Sequence, residues 1–270
     1  MYIYDGPVID IHAHLAATAD DLVNDRHSVG AAALAKAVGV DRVAHATAIV
    51  IAGRGDPVRT AAANDASLVA AGETDGFLIP VVSVHPHDGA TALAELDRVA
   101  AAGARVLKLH PNTQAVDTAD DAVAEVVARA TEHNMVVLVD GWNPFDAQQP
   151  GKFVKLAMAI PDAKIILAHM NGPGFADLMV FHVLAKYSWW RRNVWFDLSA
   201  TAPMLAGGPY AEQFRWVTRQ LGADRVLYGS DWPLYDPAEA LSAVRSLGFT
   251  EDEERQIFHD NAVRLLHLRP

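Results

Sequence analysis

The sequence predicts an α/β fold, a (β/α)8 TIM barrel, and three observations support it. Eight short apolar runs recur along the chain, amphipathic stretches separate them, and most of the runs end near an ionisable residue. The length of 270 residues fits one barrel of this kind. Because no linker or low-complexity segment divides the chain, we expect residues 1–270 to form a single domain.

The eight runs are predicted strands, and successive runs begin about 30 residues apart, the length of one βαβ unit. They read PVIDIHAHL from Pro7, DRVAHATAIV from Asp41, FLIPVVSV from Phe77, ARVLKLH from Ala104, MVVLVD from Met135, KIILAH from Lys164, NVWFDLS from Asn193 and RVLYGSD from Arg225. Most are continuously apolar, as in parallel strands that are buried on both faces. A doubly wound open sheet is the alternative, but its usual glycine-rich first turn is missing.

Alanine-rich amphipathic stretches between these runs predict helices. The clearest are ALAELDRVAAAG, DAVAEVVARATEH, EQFRWVTRQLG and AEALSAVRSLG. Glycine or asparagine follows most of them, as is common at helix C-termini. Thr118 with Asp121, and Thr250 with Glu253, have the spacing of capping boxes at two helix starts.

Composition excludes several classes of partner. The net charge of −11 disfavours nucleic acid and anionic membranes, which need a basic surface. With no cysteine, neither disulfides nor a thiolate zinc site can form, which fits a cytoplasmic chain. No signal peptide and no apolar run near the roughly 20 residues of a membrane span are recognised. We therefore expect a small-molecule substrate, with a homo-oligomer left open.

Ionisable residues near the strand ends predict a site, because barrels of this type build their sites at the C-terminal ends of the strands. His12 and His14 are two residues apart, so both imidazoles point to one face and can bind one ion at about 2.0–2.1 Å. Asp231 ends the eighth strand, which neighbours the first in a closed barrel, and a nearly buried carboxylate needs a cation or several donors. The alternatives are histidines that fill the barrel mouth and an aspartate that caps a turn.

Other strand ends supply further candidates. His169 is a metal ligand, a general base or a packed structural histidine. Asp197 either orients a neighbouring ligand or caps a loop. Candidates for substrate contact are Arg54, Lys108, His110, Trp142, Asn143, Asn171 and Tyr235.

The remaining histidines and tryptophans are interpreted mainly as structural residues. His85 and His87 follow the third strand and either line the pocket or have no role. We expect a structural role for His45, His133, His182, His259 and His267. The tryptophans expected to pack against helices or form a subunit interface are Trp189, Trp190 and Trp195.

Motifs in order over nearly the whole chain resemble the amidohydrolase-related family, a branch of the metal-dependent amidohydrolase superfamily. The motifs that resemble its strands one, four, six, seven and eight and its last helix are VIDIHAHL, RVLKLHP, PDAKIILAHMNG, NVWFDLS, DRVLYGSDWP and HDNAVRLL. The resemblance implies a metal-dependent catalytic domain with a divalent ion, usually zinc, held by His12, His14 and Asp231. It implies His169 as a further ligand or as the acid/base beside the ion.

Two positions complicate this implied site. The family's fifth strand normally ends in a metal-binding histidine, whereas VVLVDGWNP has Asp140 there. Aspartate can ligate zinc, and its harder oxygen would favour manganese; loss of the ligand is the alternative. In some superfamily members a strand-four lysine is carboxylated and bridges two metals, and Lys108 stands at that position.

Three functions are compatible with these residues. The first is hydrolysis of a small carbonyl compound, a lactone, ester or amide, by a metal-activated water. Asp231 would take the proton of the water, and His169 would stabilise the oxyanion or protonate the leaving group. The second is non-oxidative decarboxylation of an aromatic or unsaturated acid. A substrate carboxylate would need a cationic clamp, and the scarcity of arginines at the strand ends disfavours this reaction. The third, which Asp140 alone supports, is a catalytically degraded barrel with a binding role.

Overall fold

The computed structural model describes residues 4–268 and contains eight parallel strands in the order of the sequence. The strands are β1 (Val8–Asp10), β2 (Val43–Ile49), β3 (Leu78–Ser83), β4 (Val106–Leu109), β5 (Val136–Val139), β6 (Lys164–Leu167), β7 (Val194–Asp197) and β8 (Val226–Leu227). Each strand pairs in parallel with the next one along the chain. All eight predicted strands are therefore present.

Residues that follow β8 and β1 close the barrel. The N–H of Ile11 donates to the carbonyl of Tyr228 at 3.1 Å, and the N–H of His14 donates to the carbonyl of Trp232 at 2.9 Å. Between them, the N–H of Asp231 donates to the carbonyl of His12 at 2.7 Å. The last strand thus lies beside the first, and the predicted (β/α)8 TIM barrel is confirmed.

Helices connect successive strands. They are α1 (Ala31–Val38), α2 (Pro57–Glu73), α3 (Ala90–Ala101), α4 (Asp121–Glu132), α5 (Gln149–Ala159), α6 (Met179–Leu184), α7 (Thr201–Leu205), α8 (Ala211–Leu221), α9 (Pro237–Ser246), α10 (Glu251–Arg255) and α11 (Asn261–Leu266). Short 3-10 segments and one π-helical turn complete the connections. Among the residues described, no helix is long and apolar enough to cross a membrane.

One of the two predicted capping boxes forms. The Thr250 hydroxyl accepts the N–H of Glu253 at 3.3 Å, and the Glu253 carboxylate accepts the N–H of Thr250 at 2.8 Å. The box predicted at Thr118 is wrong, because α4 begins at Asp121 with Asp120 as its N-cap. The Thr118 hydroxyl instead accepts from the Gln149 side chain at 3.1 Å.

Neighbouring residues on the strands pack into different cores. Leu107 and Val137 join an apolar cluster with helix residues such as Leu96. Val106 and Leu138 belong to a second cluster, made mainly of strand residues. This alternation puts side chains at every second position inside the barrel, where they reach the site described below.

The residues expected to be structural have local partners. Trp190 is buried with its ring 6.1 Å from that of Phe181, and Trp195 in β7 lies 4.5 Å below the Arg225 guanidinium, whereas Trp189 is exposed. The histidines pair with neighbours on the outer surface, as in the 2.7 Å contact between His133 and Asp97.

Candidate metal centre and active site

His12, His169 and Asp231 form a compact buried group where β1, β6 and β8 end. One ligand atom of each residue lies within 4.8 Å of those of the other two. Donors bound to one tetrahedral zinc ion at about 2.0–2.2 Å lie about 3.3–3.6 Å apart, so side-chain movements of about 1 Å would bring all three onto one ion. Imidazole nitrogen and carboxylate oxygen fit zinc and also manganese.

His14 extends this group towards solvent. Asp231 Oδ1 lies 3.6 Å from His12 Nε2 and 3.7 Å from His14 Nε2. The two imidazole rings are 5.3 Å apart, as expected for residues two apart on one face. The three side chains that the family resemblance implies as ligands therefore lie together.

The backbone at this group adopts conformations that are uncommon outside glycine. Asp231 has φ of 64°, and His169, Met170 and Asn171 have φ of 60°, 42° and 61°. Each such residue costs of order 1–3 kcal/mol, and such strain concentrates at functional sites. The hydrogen bond from Asp231 N–H to the His12 carbonyl helps to hold the strained turn.

Asp197 and Ser199 orient the two buried imidazoles. Asp197 Oδ2 accepts from His12 Nδ1 at 2.9 Å, and Asp197 Oδ1 accepts the backbone N–H of His169 at 3.0 Å. The Ser199 hydroxyl donates to Asp197 and therefore accepts from Nδ1 of His12 at 3.1 Å and of His169 at 2.9 Å. With Nδ1 held as the donor, Nε2 is the atom of each ring that can bind an ion once it carries no proton.

The charges of the group favour a cation. Burial and the nearby Lys108 ammonium lower the pKa of His12 to about 4, so its ring is neutral. Burial opposes ionisation of Asp231, but His169 and His14 hold the pKa of Asp231 below its usual value. Burial would also lower the pKa of His169, yet Asp231 and Asp140 raise it to about 9. A metal ion that binds at His169 must therefore displace a proton.

Asp140 lies beside the compact group and contacts two imidazoles. Its Oδ2 is 3.0 Å from His169 Nε2 and 3.4 Å from His110 Nε2, and its Oδ1 accepts the Trp142 N–H at 3.1 Å. Burial opposes its ionisation, but the neighbouring histidines hold the pKa of Asp140 well below its usual range. Ligation of a metal by Asp140 stays a prediction, tested below.

Lys108 is fully buried inside the barrel, with its Nζ 3.2 Å from His12 Nε2. Burial lowers the pKa of Lys108, while nearby carboxylates oppose that shift. An ammonium at this position competes with a metal ion for the His12 lone pair. A carboxylated Lys108 would instead offer an oxygen donor, which also stays a prediction.

A cavity of about 490 Å³ opens above these residues. His14, Asp140, His169 and Asp231 border its floor, and His110 lies beside them. Most of the other lining side chains are apolar or aromatic, among them Trp142, Met204 and Tyr235, and the polar ones are Asn112, Thr113 and Thr201. Such a cavity has the composition and size of a small-molecule site.

Residues 9–268 match the family model described as Amidohydrolase. The chain belongs to this amidohydrolase family. It is therefore an enzyme of the amidohydrolase superfamily. A search of curated proteins finds no match to the sequence.

Solved structures share this barrel over almost their whole length. A Pseudomonas putida protein provisionally assigned as a 2-pyrone-4,6-dicarboxylic acid hydrolase has a TM-score of 0.68 at 20% identity, with 97% of each chain covered. A Rhizobium 2,6-dihydroxybenzoate decarboxylase has a TM-score of 0.74 at 14% identity, with coverage of 97% of this chain and 99% of that chain. A mutant of a Novosphingobium aromaticivorans 5-carboxyvanillate decarboxylase, with bound manganese, has a TM-score of 0.73 at 14% identity, with coverage of 99% of this chain and 100% of that chain. At these identities the likeness concerns the fold.

The predicted substrate-contact residues of this amidohydrolase fall into two sets. His110, Trp142 and Tyr235 line the cavity. The others do not, since Asn143 Oδ1 accepts the Phe145 N–H at 3.0 Å and Asn171 Nδ2 donates to the Gly174 carbonyl at 2.8 Å. The predicted contact residues outside the lining are Arg54, Lys108, Asn143 and Asn171. Of the two alternatives given for His85 and His87, lining of this cavity is excluded, since neither borders it.

Removal of the serine bridge should loosen the metal site. We expect Ser199→Ala to weaken zinc binding by about 10–100-fold, the usual effect of losing a group that orients a ligand. Competition with a chromophoric chelator measures this affinity. Ser246→Ala is the matched control, because Ser246 is exposed on α9 and its hydroxyl donates to the Ala243 carbonyl. Equal affinities in Ser199→Ala and wild type would reduce Ser199 to a packing role.

Substitution of Asp140 tests its ligand role. If Asp140 binds the ion, Asp140→His restores an imidazole, and we expect tighter zinc binding and a pH–rate profile shifted towards acid. The physical reason is the loss of one negative charge, which leaves the ion a stronger Lewis acid. Zinc affinity and the pH profile in both proteins provide the measurement. Unchanged zinc affinity with an altered Michaelis constant would instead make Asp140 a substrate contact.

Proposed function

We propose that this amidohydrolase is a metal-dependent hydrolase of a small carbonyl compound, that is, a lactone, ester or amide. The observation that carries the proposal is the convergence of His12, Asp231 and His169, of which Asp231 and His169 lie on the floor of the cavity while His12 is buried beneath it. Asp231 and His169 both border the cavity, so a carboxylate and an imidazole can reach the same substrate atoms. The convergence of these groups argues against a degraded barrel.

The ion would be held by His12, His14 and Asp231, with Asp140 and His169 as further candidate ligands. A divalent ion at this position would polarise a substrate carbonyl and ease deprotonation of water. Asp231, ionised and next to the cavity, accepts the proton of the attacking water. His169, held at Nδ1 by Ser199, donates a proton from Nε2 to the leaving oxygen or nitrogen as its bond to the carbonyl carbon breaks.

The finer properties of the enzyme are also proposals. We propose zinc as the ion because of the imidazole and carboxylate donors, with manganese as the alternative that oxygen-rich ligation favours. The manganese in the Novosphingobium structure supports that alternative. A single catalytic domain over residues 1–270 and a cytoplasmic location remain predictions.

Decarboxylation is the second candidate. Two of the three compared structures are of decarboxylases, and an imidazole whose pKa is near 9, as at His169, can protonate a carbon. A substrate carboxylate would also need a lysine or arginine to clamp it, in addition to the ion and His169. Within residues 4–268 no lysine or arginine lines the cavity, so hydrolysis is favoured.

Metal analysis followed by a substrate screen tests the proposal. Protein purified without chelator should carry roughly one divalent ion per chain and form the carboxylic acid products of lactones, esters or amides. Release of CO2 from aromatic or unsaturated acids, without carboxylic acid products from the first panel, would establish the alternative. A fully metallated protein that is inactive on both panels would contradict both reactions.

A further inference from the structure

The cavity changes character between its floor and its wall. Three histidines and two aspartates lie at or beside the floor, whereas the wall is mainly apolar. Its polar groups are neutral and belong to Asn112, Thr113, Thr201 and Tyr235. The apolar residues of the wall are Val23, Ile51, Met204, Pro233 and Leu234. A ligand bound here therefore meets ionisable groups at one end and a mainly apolar, uncharged surface along the rest of its length.

No lysine or arginine side chain of the described residues lines that wall. Lys108 is turned into the barrel towards His12. Arg26 is not part of the lining, and its guanidinium is engaged by the backbone carbonyl of the lining residue Leu234 at 2.9 Å. An anionic group at the wall would lose its hydration without gaining a charged donor, which is costly in an apolar site.

The indole ring of Trp142 in the cavity lining packs closely against the backbone at Gly172. A Cβ added at Gly172 would lie 2.9 Å from Cγ of Trp142, so only glycine lets the indole approach this turn. Gly172 and Trp142 both line the cavity, and Tyr235 contributes a second ring. Flat faces of this kind fit a planar or cyclic ligand.

We infer that the substrate of this cavity is a neutral carbonyl compound whose non-reacting part is an apolar ring, such as an aryl lactone or aryl ester without an anionic substituent. This inference rests on the proposed hydrolysis and narrows its substrate class. The carbonyl end faces Asp231 and His169, and the ring lies along the wall that includes Met204. An anionic substituent on the ring would be excluded by the wall rather than by the floor.

The test compares two probes in the protein as purified: coumarin, a neutral aryl lactone, and coumarin-6-sulfonate, whose sulfonate is a permanent anion and a poor zinc ligand. Calorimetry should show coumarin bound at least about tenfold more tightly, a modest consequence of an unpaired charge in an apolar site. Equal affinity, tighter binding of the sulfonate or no binding of coumarin would overturn the inference.

Charge added to the wall should reverse the preference. Met204 and Met158 are exposed to 44% and 53%, and only Met204 lines the cavity, so Met204→Arg and Met158→Arg are a matched pair. Met204→Arg should lower the ratio of the two affinities to one or below, while Met158→Arg keeps it. A folded Met204→Arg with the wild-type ratio would refute the wall as the contact surface. If Met204→Arg does not fold, the wild-type ratio alone decides.

Binding and turnover separate this inference from the proposed reaction. A preference for coumarin with no hydrolysis of any lactone, ester or amide would refute the reaction and leave the ligand class standing. Hydrolysis that is as fast on sulfonated as on neutral aryl esters would refute the ligand class and leave the reaction standing.

Discussion

Replacement of both strand-one histidines, in His12→Ala/His14→Ala, should abolish metal binding and activity together. Loss of a group that merely orients a ligand costs about 10–100-fold in metal affinity, so loss of two imidazoles that bind the ion directly should exceed that range. The variant keeps Asp231 with its nearest imidazole partners removed. Metal content after equilibration with dilute zinc, together with circular dichroism to verify the fold, provides the measurement.

His85→Ala/His87→Ala is the matched control for this experiment. These two histidines are also two residues apart, with rings 5.7 Å from each other, but neither lines the cavity. Their partners are the Gln114 carbonyl and the Asp120 carboxylate. We expect this control to keep its metal. Full metal occupancy in His12→Ala/His14→Ala would eliminate the proposed metal site.

The fold and part of the site could be predicted because they depend on periodicity and strand order. Apolar runs at regular spacing indicated eight strands, and closure of a barrel brings its first and last strands together. His12 and Asp231 stand at the ends of those two strands, so their proximity followed from topology. Alternation along a strand likewise indicated that His12 and His14 share one face.

Other parts of the site depend on loop conformations that the sequence does not reveal. Ser199 bridges two imidazoles, but it stands beyond the end of β7, and a serine in a loop carries no distinguishing pattern. The left-handed backbone from His169 to Asn171 directs the Asn171 side chain to the Gly174 carbonyl and away from the cavity. The sequence feature that could have indicated a role for Ser199 is Asp197, because a buried carboxylate at a strand end needs hydrogen-bond donors nearby.

His169→Asn should lower the catalytic rate by about 10²–10⁴-fold, the usual contribution of a general acid or base. The asparagine amide can still reach Ser199 from the position of Nδ1, but it has no counterpart of Nε2, which lies 3.0 Å from Asp140. The fold should therefore persist while the proton donor is lost. The measurements are kcat, KM and metal content, with circular dichroism as the check on folding.

Metal content decides between the two roles proposed for His169. A large fall in kcat with metal content and KM near those of wild type would identify an acid/base, because the ion and the substrate are still held. A fall in both kcat and metal content would identify a ligand, as the 4.8 Å grouping with His12 and Asp231 allows. His182→Asn is the matched control, since its Nδ1 bonds the Gln220 carbonyl at 2.9 Å on the outer helices, and its rate should equal that of wild type. An unchanged rate in His169→Asn would leave His169 a structural role only and would remove the proton donor from the proposed reaction.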